Sequence, residues 1–507
     1  MRVLMSFTFV FFLFLLTYVN PQHRQKSKKP SKIVIVDDKT PEDQAHELEW
    51  AELDNRTLPE WFDRVKIGIF VHWGIYSVPA THNEWFLYFW KTSYPEEVNY
   101  MKKYFRPNFT YEDFAPYFTA EYFDADEWAR FFVKSGAKYV VLTSKHHDGF
   151  TLFPSKQSRG WNSVRLGPHR DIVGELGAAV KLQGLKYGIY YSLLEWYHQD
   201  YLEDKEAKFK KYTYRDTKVW PEIKQLVNKY EPAILWFDGG WETSDVYWNA
   251  TGLLKWLYNE SPVKDYVVVN DRLGNNAQYL HGDFYNGPDR HDPQILQKHK
   301  WENAFTLDLT SWGYRSQMKE KDVMTVQNML HLLIRTVSCG GNFLVNIGPS
   351  REGIIVKIFQ DRLLALGEWL QINGEAIYYS SPWRYQRDTR NKHVWYTCNK
   401  VPYNALDPTA TPLAPDTIKA IYAMFTPYPT NHKLTIKDIS PLLKSAEYQV
   451  MMLGETNILN WTVIHDNAII RLPEKTKSQN AWALKFFKTH EVEVNVTSAT
   501  HLPGKIE

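Results

Sequence analysis

Ala233-Ile-Leu-Trp236-Phe-Asp238-Gly239-Gly240 decides the reading of this chain. Five apolar residues in a row have the length of a strand buried on both faces, as strands of parallel sheets are. The run stops at one carboxylate and two glycines. A buried strand thus delivers Asp238 to its C-terminal end, and glycine leaves room for a close approach beside it. Five other stretches repeat the pattern of an apolar, β-rich run that ends in polar residues: 66–74, 138–149, 185–192, 266–272 and 342–349. Between them, apolar residues at helical spacing predict helices over 124–135, 170–182, 220–229 and 323–338, with Asp126 placed to cap or charge the first. Strand and helix in alternation predict parallel strands joined by crossovers. Six such units favour an α/β (β/α)8 TIM-like barrel over an open sheet.

The pattern changes near Ser380-Ser-Pro-Trp383. Beyond it come short alternating runs separated by Pro, Asn and Asp, which predict a C-terminal β-sandwich. The expected organisation is a signal peptide over 1–20, a basic flexible leader over 21–45, a catalytic barrel over 46–380 and the sandwich over 381–507. At 507 residues the chain has room for one large barrel and a smaller domain. Arg2 followed by an almost wholly apolar run to Leu16 reads as a secretory signal, too short for a membrane span. Six N-x-[ST] sequons, at Asn55, Asn108, Asn249, Asn259, Asn460 and Asn495, agree with that route. A soluble protein of the secretory pathway is expected, lysosomal or extracellular, with no membrane insertion after signal cleavage.

Net charge is only +2, so no strong field attracts polyanions, and the basic cluster 22–29 carries no aromatics for nucleic-acid binding. With two cysteines, Cys339 and Cys398, the chain is not a disulfide scaffold, and whether they pair is open. Its 20 Trp and 32 Tyr suit either stacking on sugar rings or an aromatic-rich core.

Barrel enzymes build their sites at the C-terminal ends of strands. Here those ends carry His72, His146, His147, Asp148, Tyr190, Tyr191, Asp238 and Arg272. Asp238 is the candidate catalytic carboxylate; a structural helix cap is the plainer reading. The histidines could ligate a metal, hydrogen-bond sugar hydroxyls, or sit satisfied in the core. Their spacing matches no strong zinc motif, because neighbours on a strand face opposite ways unless a bulge intervenes. Glu84-Trp85 pairs a carboxylate with a ring. Lys300-Trp301-Glu302 places Glu302 after an aromatic that could raise its pKa, as suits a general acid.

Together these stretches resemble the glycoside hydrolase family 29 α-L-fucosidases, particularly the animal tissue type. The resemblance rests on Trp61-Phe-Asp63, Gly68-Ile-Phe-Val-His-Trp-Gly74, Asn83-Glu-Trp85, Thr143-Ser-Lys-His-His-Asp-Gly-Phe150 and Trp161-Asn-Ser163. It continues through Gly188-Ile-Tyr-Tyr-Ser-Leu-Leu-Glu-Trp196, Trp236-Phe-Asp-Gly239, Val269-Asn-Asp-Arg272, His299-Lys-Trp-Glu302, Ser311-Trp-Gly-Tyr314, Asn342-Phe-Leu-Val-Asn-Ile-Gly-Pro349 and Ile372-Asn-Gly-Glu-Ala-Ile-Tyr378. It implies a retaining exo-glycosidase that removes terminal α-L-fucose from glycoproteins and glycolipids, with no cofactor and no metal. Asp238 would be the nucleophile and Glu302 the acid/base, at a separation of about 5–5.5 Å, with Glu84 next in line. Substrate-binding residues would be His72, Glu84, Trp85, His146, His147, Tyr190 (preferred over Tyr191), Trp236 and Arg272. Trp236 and Phe237 would face the methyl group of fucose. The partner is a fucosylated glycan, and the resemblance implies a homotetramer. Gly240 departs from the family, where an acidic residue is expected. The alternatives are a non-catalytic fucose-binding protein on the same fold, a metal-dependent barrel hydrolase, and a relative acting on another sugar.

Overall fold

The computed structural model describes residues 40–400, 418–445 and 447–488. The expected signal peptide, most of the leader and Asn495 lie outside them. The chain divides into units 1–45 and 46–507; of the first, the described part is the opening of a helix, Pro41–Asp54.

The second unit is built around parallel strands β1 (Ile67–Val71), β2 (Tyr139–Lys145), β3 (Lys186–Ser192), β4 (Ile234–Asp238), β5 (Val268–Val269), β6 (Trp301–Thr306) and β7 (Gly341–Ile347). Their order is β5-β4-β3-β2-β1-β7-β6, so β1 sits mid-sheet and β5 and β6 are the edges. Two isolated parallel bridges, Asn270 to Phe284 and Tyr285 to Trp301, join those edges. Tyr285 N–H donates to Lys300 O at 2.9 Å, and Glu302 N–H donates to Tyr285 O at 2.9 Å. The segment 283–286 therefore stands as an irregular eighth strand and closes a TIM-like barrel.

Two features depart from the sequence reading. The strand β6 was not expected, because Trp-Glu-Asn-Ala-Phe-Thr carries three polar side chains that are all buried here. No helix follows β5 or the closing segment; loops replace both crossovers. The helix expected over 124–135 spans Ala125–Lys134, and Asp124 rather than Asp126 is its cap, accepting from Glu127 N–H at 2.8 Å.

Period-two alternation divides each strand. Phe70, Tyr139, Val141, Tyr190, Ile234, Trp236 and Ala304 share one buried cluster, which fills the barrel lumen. Ile69, Val140, Tyr191, Leu235 and Phe237 pack outward with the helices. Ile234, Trp236 and Asp238 share the inward face; Phe237 does not, so its expected contact with the sugar is corrected.

After the barrel come β8 (Ser381–Arg387), β9 (Val394–Lys400), β10 (Ile418–Phe425), β11 (Lys433–Ile436), β12 (Tyr448–Met452), β13 (Trp461–Ile464), β14 (Asn467–Arg471) and β15 (Trp482–Lys488). They form antiparallel sheets in the orders β12-β15-β10-β9-β8 and β11-β14-β13 around a separate apolar core. Trp369 Nε1 donates to Ala481 O at 2.9 Å, and Thr397 Oγ1 donates to Ala376 O at 2.7 Å, tying this domain to the helix Lys357–Asn373 and the turn after it. Cys339 and Cys398 are both buried free thiols.

Candidate active site

A cavity of about 380 Å³, open to solvent, lies at the C-terminal ends of the barrel strands. It is lined by Phe70, His72, Glu84, Trp85, His146, His147, Tyr190, Trp236, Asp238, Trp241, Arg272, Asp289 and Trp312.

Asp238 ends β4 and accepts two hydrogen bonds, with His147 beside it. Tyr190 OH donates to Oδ2 at 2.8 Å, Arg272 Nη1 donates to Oδ1 at 2.9 Å, and His147 Nε2 stands 3.5 Å from Oδ2. Burial alone would raise its pKa; the Arg272 charge, with the hydrogen bonds from Tyr190 and Arg272, outweighs it and holds the carboxyl below its ordinary value. A permanently ionised carboxylate therefore faces the cavity.

The two adjacent histidines both line the cavity; they stand just past the end of β2, where strand alternation no longer applies. Ser192 Oγ donates to Leu194 O at 2.7 Å, so it accepts from His147 Nδ1–H at 2.6 Å, and Nε2 is left as an acceptor. His72 Nδ1 pairs with Asn346 Oδ1 at 2.7 Å; an amide oxygen only accepts, so Nδ1 carries the proton there too. Burial lowers the pKa of both to about 4, and that of His146 further still. The site thus presents neutral imidazoles, suited to sugar hydroxyls. Among the described residues, no group of three or more His, Cys, Asp or Glu could hold a metal ion. Asp148 turns away, accepting from Tyr111 OH at 2.8 Å and from Phe150 N–H at 3.1 Å.

Glu84 enters from the loop after β1. Its Oε2 accepts from the backbone N–H of Trp312 at 2.9 Å and of Gly313 at 3.1 Å. Burial pushes its pKa up despite these donors. Phe70, Trp312 and the buried Trp236 form an apolar side, with Phe70 and Trp236 ring centroids 5.1 Å apart and Phe70 and Trp312 5.9 Å apart. Tyr190 faces the lumen, whereas Tyr191 donates to Glu222 at 2.7 Å on the outer side.

Glu302 is the main correction. It does not line the cavity. It is the second residue of β6, at the N-terminal end of the strand, and fully buried. Oε1 accepts from Trp236 Nε1 at 2.9 Å and from Asn286 Nδ2 at 3.2 Å, and Oε2 accepts from Tyr139 OH at 2.7 Å. Burial does raise its pKa, as expected, but the carboxyl props the ring under the cavity instead of facing the substrate.

Four lining residues had no role in the sequence reading: Phe70 of β1, Trp312, Trp241 and Asp289. Trp312 follows β6. Trp241 follows the two glycines after Asp238. Asp289 lies three residues past the closing segment, on a loop tied to β6 by Arg290 N–H to Ala304 O at 3.0 Å. Arg272 Nη2 donates to Asp289 Oδ1 at 2.6 Å, so one guanidinium bridges Asp238 and Asp289. The closing strand is too short for periodicity to reveal it, and the loop end beyond it was hidden with it.

Comparison with known proteins agrees with this geometry. The family model for alpha-L-fucosidase matches residues 33–375, and that for the alpha-L-fucosidase C-terminal domain matches 386–487. The chain is 47% identical to tissue alpha-L-fucosidase of Rattus norvegicus over 448 residues, covering 87% of this chain and 92% of that one. It is 46% identical to plasma alpha-L-fucosidase of Homo sapiens over 442 residues, covering 86% and 91%. Among solved structures, Thermotoga maritima alpha-fucosidase in complex with a mechanism-based inhibitor superposes with a TM-score of 0.73 at 33% identity, covering 87% of this chain and 99% of that one. The chain belongs to the alpha-L-fucosidase family of glycoside hydrolases.

Proposed function

We propose that this enzyme releases terminal α-L-fucose from glycans by double displacement, with Asp238 as nucleophile and Asp289 as acid/base. The observation that carries the reading is the pair of carboxylates in one small cavity. Asp238 is buried and held ionised; Asp289 is its partner across Arg272, with 44% of its side chain exposed at the mouth. A bridge of one guanidinium is compatible with the separation of about 5–5.5 Å that retaining pairs use. Asp238 attacks the anomeric carbon as the glycosidic C–O bond breaks, and protonated Asp289 gives its proton to the leaving oxygen. Asp289 then takes a proton from water, the water oxygen attacks the same carbon, and Asp238 leaves. Arg272 and Tyr190 stabilise the carboxylate; His72, His146, His147 and Glu84 bind hydroxyls; Phe70, Trp236 and Trp312 take the methyl face. Glu84 is the second candidate for acid/base, favoured by its raised pKa.

In the same reading, residues 46–380 are the catalytic barrel, 381–507 a supporting sandwich, and the active form a homotetramer. The five described sequon asparagines, Asn55, Asn108, Asn249, Asn259 and Asn460, are exposed, as glycosylation in the secretory pathway requires. No helix among the described residues is long and apolar enough to cross a membrane. The tissue and plasma relatives support a lysosomal or extracellular destination.

The test is release of the aryl group from an aryl α-L-fucoside by the wild type and Asp238→Gly, with and without EDTA. The expected result is activity that survives EDTA, collapses in the variant and is partly restored by azide. No turnover by the wild type between about pH 4 and 7, the range over which a carboxylate pair works, would contradict the reading.

A further inference from the structure

One wall of the cavity continues outward as an aromatic surface. Trp85 and Trp241 both line the cavity, and their rings lie nearly parallel, 5.9 Å apart at 15°. Beyond them Tyr88 packs against Trp85 at 5.5 Å and against Trp196 at 5.3 Å, and Trp196 meets Trp85 at 5.1 Å. Trp241 is 43% exposed and Tyr88 36% exposed. Indole faces left in water at the mouth of a site forgo the burial that large aromatic surfaces gain. The nearby charges are taken up: Glu242 pairs with Lys205 at 2.8 Å and accepts from Tyr201 OH at 2.6 Å. The surface thus offers aromatic faces beside a paired Glu242.

The reaction dictates what passes over it. In the fucosidase reading the cavity takes the terminal fucose, so whatever fucose is attached to must leave through the mouth. We propose that Trp241, with Trp85 and Tyr88, is the binding platform for that second residue, a neutral pyranoside lying with its C–H face on the Trp241 indole. Axial C–H bonds present weak positive charge, which the negative face of an aromatic ring attracts. This inference rests on the fucosidase reading and adds a leaving-group subsite to it.

The structure also shows how the sequence delivers Trp241 there. Gly239 has φ +74, and a Cβ at Gly240 would stand 2.9 Å from Arg272 O and 2.9 Å from Gly274 N. The chain therefore passes close over the backbone of Arg272 and Gly274 straight after Asp238, and a side chain at position 240 would require that backbone to shift on the way to Trp241.

The test compares kcat/KM for α-L-fucosyl fluoride, which has no second sugar, with kcat/KM for a fucosyl-α-1,2-galactoside. The proteins are the wild type, Trp241→Ala, Trp241→Phe and Tyr88→Ala. We expect Trp241→Ala to lose about tenfold more on the disaccharide than on the fluoride, mainly through KM, with Trp241→Phe retaining most of the difference and Tyr88→Ala losing part of it. Equal losses on both substrates, or no loss on either, would overturn the proposal. A wild type inactive on both would instead remove the fucosidase reading on which it rests.

Discussion

At the scale of single residues, the proposed nucleophile was legible as a candidate: Asp238 follows four apolar strand residues and precedes two glycines. The acid/base was not. Glu302 sits beside a tryptophan in the sequence, as an acid in an apolar pocket would, but strand direction puts it at the closed end of the barrel. Asp289 gave no such signal, since its strand is a two-bridge fragment. The two assignments predict different variants. Asp289→Asn should lower kcat by about 10²- to 10⁴-fold on substrates with poor leaving groups and lose one limb of the pH profile. Glu302→Gln should keep both limbs, because it acts through the Trp236 ring; a pH profile lost in Glu302→Gln and kept in Asp289→Asn would reverse the roles. The histidines carry a second prediction. His147 titrates at about 4 in the folded protein against an ordinary 6.5. The unfolded chain therefore binds its proton first as pH falls, so His147 contributes stability that is present above pH 6.5 and lost progressively towards about 4. Asp148, pushed up to about 6 by burial, works the other way over its own window. Denaturation of His147→Gln between those limits should therefore show a shallower loss than the wild type, by up to roughly 3 kcal/mol. Parallel curves would contradict the buried neutral imidazole.

At the scale of elements, uniformly apolar strands announced themselves, while mixed ones did not. Buried polar residues in β6 and the closing segment look like loop until the barrel supplies their partners: Asn303 bonds Thr336 at 3.1 Å, and Asn286 N–H bonds Asp271 at 3.0 Å. The meeting of His146 and His147 in one cavity likewise cannot be read from alternation, because both stand past the end of β2. The turn after β4 is the most constrained connection. Gly240→Ala places a methyl against the backbone of Arg272 and Gly274, neither of which can swing aside. It should cost about 1–3 kcal/mol of stability, the usual penalty for overpacking, and lower kcat by shifting the guanidinium that holds Asp238. Wild-type melting temperature and kcat in this variant would show the contact to be slack.

At the scale of the whole molecule, the alternation of strand and helix foretold the barrel, and the change of pattern near Trp383 foretold the second domain. The relation between the two domains was not legible, because contacts between distant segments leave no periodicity. Ala420, Tyr422 and Met424 of β10 belong to the same buried cluster as the barrel helices, and Tyr422 OH donates to Glu375 at 2.7 Å. Among the described residues, none that lines the cavity comes from the sandwich. These contacts predict that a chain ending at residue 380 aggregates or melts well below the full protein; a soluble, active truncation would contradict this. The central claim is that the molecule works through a covalent fucosyl–Asp238 intermediate. Incubation with 2-deoxy-2-fluoro-α-L-fucosyl fluoride, followed by digestion and mass spectrometry of the peptides, tests it most directly. The account predicts time-dependent inactivation and a single fluorofucosyl label on the peptide that contains Asp238. A label on the peptide of Glu84, Asp289 or Glu302, or full activity with no label, would contradict it.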